Sequence, residues 1–178
     1  LFAGDVGAAS RSLCVRNYTV IPMSRTAGLI QWVEGAAPLF GLVTRDKSLR
    51  GEPKASPAAE FYAALAPALQ KRGMQANTPR KQWPLDVMLN VFRSLRAESP
   101  SRTLEMELWR GSANAADWWE RSTSYCRSLA AMSIVGFVLG LGDRHLDNIL
   151  LDMRTGEIIH IDYNVCFDRG LRLRVPEI

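Results

Sequence analysis

Polar and apolar positions alternate along residues 16–21, and Tyr18, Val20 and Ile21 are of strand-forming type. The pattern predicts a strand that Pro22 ends, a turn over 24–28 and a second short strand over 29–33. Residues 35–43 can form a short helix. Residues 44–57 carry Arg45, Asp46, Lys47, Arg50, Glu52 and Lys54 with two prolines, which predicts a solvated, mobile linker or insertion. From 58 to 71 the spacing becomes helical, with Phe61, Leu65 and Leu69 on one face. After a loop over 73–81, Pro84 opens a helix whose buried stripe is Val87, Met88, Val91, Phe92 and Leu95. Pro100 breaks that pattern, and a short helix over 103–109 ends at Gly111.

Residues 114–141 read as the main helix. Asn114 is its cap, Asp117 suits the positive end of the helix dipole, and Trp118, Tyr125, Leu129, Met132 and Val135 share a face. The apolar run 130–141 predicts a buried core helix and is too short to span a membrane. Trp109, Trp118 and Trp119 read as packing residues. Beyond the helix, Ile149-Leu150-Leu151, a polar turn over 152–157 and Ile158-Ile159-His160-Ile161 predict a hairpin.

A hairpin brings its two ends together. Asn148 precedes the first strand and Asp162 follows the second, so an amide and a carboxylate converge beside Asp143 and His145. Oxygen ligands of this kind suit Mg²⁺, which takes one or two protein ligands and completes its shell with phosphate and water. Phosphoryl transfer needs such an arrangement: an Asp to orient the attacking hydroxyl, and an Asn and a second Asp for the metal ions. Asp143 lies five residues before Asn148, the spacing of the catalytic Asp and metal-binding Asn in protein kinases. Taken singly, each residue has a plainer reading as a surface ion pair, a cap or a solvated strand end. The three at these spacings with apolar strands between them do not.

Composition changes little. The chain has 178 residues, 47% hydrophobic and 22% charged, enough for one domain with a sizeable core. A net charge of +4 is too small to imply nucleic-acid binding, and no direct nucleic-acid contact is evident. Cys14, Cys126 and Cys166 lack metal-type spacing and read as reduced thiols. No secretory signal is evident. The chain starts at Leu1 and stops at Ile178 after Pro-Glu, so it reads as a piece of a larger protein.

Asp143-Arg144-His145 inverts the His-Arg-Asp order of ordinary protein kinases. With His160-Ile161-Asp162-Tyr163-Asn164 standing where Asp-Phe-Gly is usual, it resembles the phosphatidylinositol 3-kinase-related protein kinases and their lipid-kinase cousins. Residues 28–33 and 171–177 narrow the resemblance to the branch that acts in nonsense-mediated mRNA decay, and residues 45–82 carry it least. The resemblance implies an α+β fold: a partial protein-kinase-like catalytic domain, mostly the helical carboxy-terminal lobe with the last strands of the amino-terminal lobe. Residues 1–33 would end the amino-terminal lobe and cross between lobes. Residues 34–178 would hold the catalytic loop and the start of the activation segment.

It further implies ATP as substrate, with Mg²⁺ (or Mn²⁺) on Asn148 and Asp162. Asp143 would orient or deprotonate the substrate hydroxyl. His145 would stabilise the transferred phosphoryl group or buttress the loop. Trp32 would pack on adenine, the Gln31 carbonyl and Val33 N–H would bond its edge, and Leu150 and Ile161 would close the other face. Core packing accounts for Trp32, Leu150 and Ile161 as well. Tyr163, Asn164, Arg169, Arg172 and Arg174 would belong to the activation segment, where the basic residues meet an acidic ligand or form a solvated face.

The implied protein substrate is Ser or Thr followed by Gln in the RNA helicase of nonsense-mediated decay. Regulatory subunits, a cytoplasmic or nuclear location and no membrane attachment go with it. No glycine-rich loop with a following lysine precedes Gln31, so these residues alone are expected to be inactive. Two competing readings share the same residues. A lipid kinase would need a more basic activation segment than three arginines among leucines, and a non-catalytic scaffold would have lost catalytic or metal residues that this chain keeps.

Overall fold

The computed structural model describes residues 6–7, 13, 15–52, 55–74 and 78–173. Cys14 and Arg174 lie outside them. The elements in chain order are β1 (Val20–Pro22), β2 (Gly28–Ile30), β3 (Ala36–Pro38), α1 (Leu39–Leu49), α2 (Pro57–Lys71), α3 (Leu85–Glu98), α4 (Thr103–Gly111), α5 (Ala115–Leu139), β4 (Ile149–Asp152) and β5 (Ile158–His160). Short 3-10 turns cover Arg80–Gln82 and Phe167–Arg172. The chain divides into two compact units, Leu1–Val43 with Leu104–Ile178, and Thr44–Thr103.

In the first unit, β1 and β2 form an exposed antiparallel pair, Val20 opposite Ile30 and Pro22 opposite Gly28. β3, β4 and β5 form a three-stranded antiparallel sheet in that order. β3 was not legible as a strand, because Ala36-Ala37-Pro38 has neither β-branched residues nor alternation. Its pairing partner, β4, decides it: Ala37 lies opposite Leu151. The helix expected over 35–43 therefore begins at Leu39 and runs on to Leu49, through the first six residues of the expected linker.

The core of this unit is Leu42, Leu108, Leu151 and Ile158, with Trp118, Tyr125 and Met153 packed around it. Ile158 is on the open edge of β5, and its N–H donates to Ser128 Oγ on α5 at 2.9 Å, which satisfies a buried edge donor with a helix hydroxyl. The β4–β5 turn is pressed against the same helix. Gly156 has φ +78°, and a Cβ there would stand 2.2 Å from the Arg121 carbonyl oxygen, so only glycine fits. Asp152, buried in that turn, accepts from the Arg154 N–H at 2.7 Å and pairs with Arg16.

α5 starts as expected. Asn114 accepts from the Asp117 N–H at 3.0 Å, and Asp117 Oδ2 accepts from the Ala113 N–H at 2.8 Å. Such a reciprocal cap contributes about 1 kcal/mol. The helix ends at Gly140, left-handed at φ +58°, whose missing Cβ leaves room for the Phe167 backbone. The expectation of burial for 130–141 holds on one side only. Met132 is buried, but Ile134, Phe137 and Val138 are 67%, 85% and 73% exposed.

In the second unit, Leu65, Leu69 and Val87 form a core between α2 and α3, with Phe61, Trp83, Met88 and Val91 against it. Phe92, placed in the buried stripe by its spacing, is 54% exposed instead. Asp46, expected in a solvated linker, is buried; it accepts from Thr103 Oγ1 at 3.0 Å and Arg50 Nε at 3.2 Å.

Candidate active site

β4 and β5 pair Ile149 with His160, and one further backbone bond, Ile161 N–H to the Asn148 carbonyl at 3.0 Å, carries the ladder past the strands. The register sets Asn148 opposite Ile161, the residue before Asp162, at the open end of the hairpin. Asn148 is 6% exposed and donates from Nδ2 to the Asp143 carbonyl at 3.0 Å. With its amide nitrogen so used, the amide oxygen is the atom Asn148 offers a cation. The backbone thus places Asp143, Asn148 and Asp162 in one part of the fold.

Asp143 and Asp162 both have φ +56°, in the left-handed region that non-glycine residues rarely occupy. Each such residue costs about 1–2 kcal/mol, so the surroundings must hold it. Arg144 does much of this. Its guanidinium donates to the carbonyls of Gly142 (2.8 Å) and Ile161 (2.7 Å) and to that of Asp162, and it approaches the Asn148 carbonyl at 3.4 Å. One side chain therefore ties the 142–148 loop to the segment after β5. The sequence reading gave Arg144 no task beyond its place in the triplet; its carbonyl partners leave no trace in residue types. The loop is also held from outside, by the Phe40 N–H on the Leu146 carbonyl (3.1 Å) and the Gly142 N–H on the Val165 carbonyl (3.0 Å).

The His145 ring is half exposed, and its Nδ1 accepts from the Asp147 N–H at 3.3 Å. An accepting Nδ1 places the proton of the neutral ring on Nε2, where it can donate to an incoming oxygen. Its backbone carbonyl accepts from the Asn148 N–H at 3.0 Å. His160 is of the other kind. It is buried, its Nδ1 has no hydrogen-bond partner among the described residues, and burial, then the charge of Arg144, holds its pKa below the ordinary range. It stays neutral as a packing residue beside a cavity of about 420 Å³ behind the loop, lined also by Met132, Gly136 and Arg144.

Gln31, Trp32 and Val33 line a second cavity of about 440 Å³ with Tyr18, Asn17 and Arg154. Trp32 is 84% exposed, which removes the reading of it as a core residue. Gln31 spends its N–H on the Thr19 carbonyl (2.8 Å) and its Oε1 on the Thr19 N–H (2.9 Å). Leu150 and Ile161 do not line this cavity: Leu150 is buried in β4 between Pro38 and Ile159, and Ile161 is half-buried at the end of β5. The two walls expected around adenine are therefore not brought together.

After Asp162 the chain turns at once. Asp162 Oδ1 accepts from the Asn164 N–H at 3.2 Å, and Arg169 donates to the Asn164 carbonyl at 3.0 Å. Tyr163 is partly exposed, and burial, then the neighbouring Tyr18, pushes its phenol pKa up. Arg172 is exposed in the closing 3-10 turn.

The sequence profile of the phosphatidylinositol 3- and 4-kinase family matches residues 6–178. The chain belongs to that family. It is similar to serine/threonine-protein kinase SMG1 of Danio rerio, 44% identical over 91% of the chain and 5% of that protein. It is 42% identical to Smg1 of Drosophila melanogaster over 90% of the chain, again 5% of the relative. The family's kinase architecture also appears in a solved structure, the FAT and kinase domain of CtTel1, which it matches with a TM-score of 0.79 at 30% identity over 99% of the chain and 12% of the other. These similarities bear out the expected α+β kinase fold and the phosphatidylinositol 3-kinase-related resemblance. The chain spans only a small part of each relative's length.

Among the described residues no cluster of three His, Cys, Asp or Glu side chains is placed to hold a metal ion. No helix among the described residues is long and apolar enough to cross a membrane.

Proposed function

We propose that this chain carries the catalytic loop and metal-holding residues of a serine/threonine protein kinase. The observation that supports this most is the hairpin end, where Asn148 pairs with Ile161, the residue before Asp162, and is tied to the Asp143 backbone at 3.0 Å. In this reading residues 1–33 end the amino-terminal lobe and residues 34–178 begin the carboxy-terminal lobe.

Mg²⁺, when bound, supplies positive charge to the phosphates. Asn148 Oδ1 and the Asp162 carboxylate hold it. Asp143 receives the hydroxyl proton of the substrate Ser or Thr and aligns its oxygen. His145 Nε2–H donates to the transferred group as charge moves onto its oxygens. Trp32 offers a face to adenine, and the backbone of Gln31 and Val33 its edge, with Leu150 and Ile161 further in. Tyr163, Asn164, Arg169, Arg172 and Arg174 begin the surface that receives the protein substrate.

The likeness to kinases named SMG1 supports the finer reading: a Ser or Thr followed by Gln, in the RNA helicase of nonsense-mediated mRNA decay, with regulatory subunits and a cytoplasmic or nuclear location. The test is phosphate transfer from labelled ATP by the full-length protein to a Ser-Gln peptide and to phosphoinositide vesicles. Peptide labelling that falls by about 10²–10⁴-fold in Asp143→Asn is the expected result. Labelling of the vesicles alone would make this a lipid kinase.

A further inference from the structure

We propose that Gly140 and Phe167 are positioning residues for the protein substrate: the bare Cα of Gly140 is a seat for the Phe167 backbone, and the seat sets the course of the segment that carries Arg169 and Arg172. This rests on the phosphotransferase reading and adds to it two residues outside its nucleotide and metal sites.

Left-handed backbone marks the place. Among the described residues, the non-glycine positions with positive φ are Asp143, Asp162 and Phe167, each at +56°. The first two are the acidic residues of the candidate site. Phe167 is a bulky aromatic, for which this conformation is a true outlier that its surroundings must hold. Its ring does not hold it, being 71% exposed. The hold is on the backbone. A Cβ built on Gly140 would stand 2.9 Å from the Phe167 carbonyl oxygen, 3.2 Å from its Cα and 3.3 Å from its carbonyl carbon, so the two backbones meet where glycine alone leaves room.

Both sides of the seat are fixed. The Gly140 N–H donates to the Phe137 carbonyl at 3.1 Å, and the Leu141 N–H donates to the Gly136 carbonyl at 2.8 Å, which locks the end of α5. On the other side, two residues before Phe167, the Val165 carbonyl accepts from the Gly142 N–H at 3.0 Å. Phe167 then opens the 3-10 turn Phe167–Arg172, in which Gly170 is buried while Arg169 and Arg172 are exposed. The Arg169 guanidinium donates back to the Asn164 carbonyl at 3.0 Å. The direction of this turn is therefore decided at Phe167, by a φ of the sign that a relaxed residue avoids. Taking Phe167 off its seat swings the two arginines. Asn148 keeps its tie to Asp143, and Asp162 keeps its tie to Arg144.

The experiment measures KM and kcat for a synthetic Ser-Gln peptide, and KM for ATP, in the full-length protein and three variants. Phe167→Gly removes the ring and keeps the left-handed conformation open. Phe167→Pro fixes φ at about −65° and forbids it. Gly140→Ala fills the seat from the helix side. Phe167→Gly should stay within about two-fold of wild type in every constant, whereas Phe167→Pro and Gly140→Ala should each raise the peptide KM about ten-fold and leave the KM for ATP within about two-fold. If Gly140→Ala does not fold, the two variants at 167 decide alone. A wild-type peptide KM in Phe167→Pro would overturn the proposal and leave the kinase reading standing. So would a peptide KM as high in Phe167→Gly as in Phe167→Pro, since the ring would then be the active part. An equal rise in the KM for ATP would place the fault in the nucleotide site and overturn it as well. A wild type without Asp143-dependent transfer to peptide would remove the protein-kinase reading and this proposal with it.

Discussion

Arg144 shows what a single side chain can settle. Its planar fork reaches the carbonyls of Gly142, Ile161 and Asp162 at once, which a lysine with one ammonium centre cannot do. Arg144→Lys is expected to lower stability by about 2–4 kcal/mol, since charge-assisted bonds to half-buried carbonyls are lost. Urea unfolding of the two proteins measures it. Asp143, Asn148 and Asp162 stand out in the sequence because oxygen ligands for phosphate chemistry come from few residue types at restricted spacings. The task of Arg144 was not legible, because it acts through backbone atoms that every residue has. Leu150 and Ile161 kept two readings for a related reason: they are apolar, and apolarity alone does not distinguish a slot from a core.

Among the elements, α5 was the most legible. Its cap, its left-handed Gly140 and its length follow from local chemistry that the sequence carries openly. The cap gives a pH-dependent prediction. Asp117 has its pKa lowered first by the Ala113 backbone N–H and then by Arg121. A carboxylate with a folded pKa below its unfolded one stabilises at pH above the unfolded range of about 4, and that stability is lost as pH falls through the folded pKa. Asp117→Asn should therefore melt below wild type at pH 7, with the gap closing toward pH 2–3 in a series of thermal melts. β3 was illegible for the opposite reason. Its three residues are poor strand formers, and only the edge offered by β4, 112–116 positions away, makes them a strand. The helix running to Leu49 likewise depends on Asp46 finding Thr103 and Arg50, contacts that a charge count reads as solvation.

At the scale of the whole chain, the site occupies one end of a hairpin whose other end is buried against α5. Asp152 and Gly156 fix the turn, Ser128 fixes the edge of β5, and Arg144 closes the far end. Both ends of the hairpin are thus held by side chains from elsewhere in the chain.

Ile134, Phe137 and Val138, with Phe167 close by at the cavity mouth, leave bare oily surface on the same helix that delivers the catalytic loop. Such a surface has practical consequences at the bench. The purified 178-residue chain should be sticky: retarded on phenyl resin, bright with the dye ANS while still folded by circular dichroism, and cloudy at modest concentration. Phe137→Ser with Val138→Ser should clear the solution and dim the dye without shifting the melting midpoint by more than about 2 °C, because exposed side chains contribute little to folding. Solubility and fold would then prove to be separate properties of one helix, written on its opposite sides.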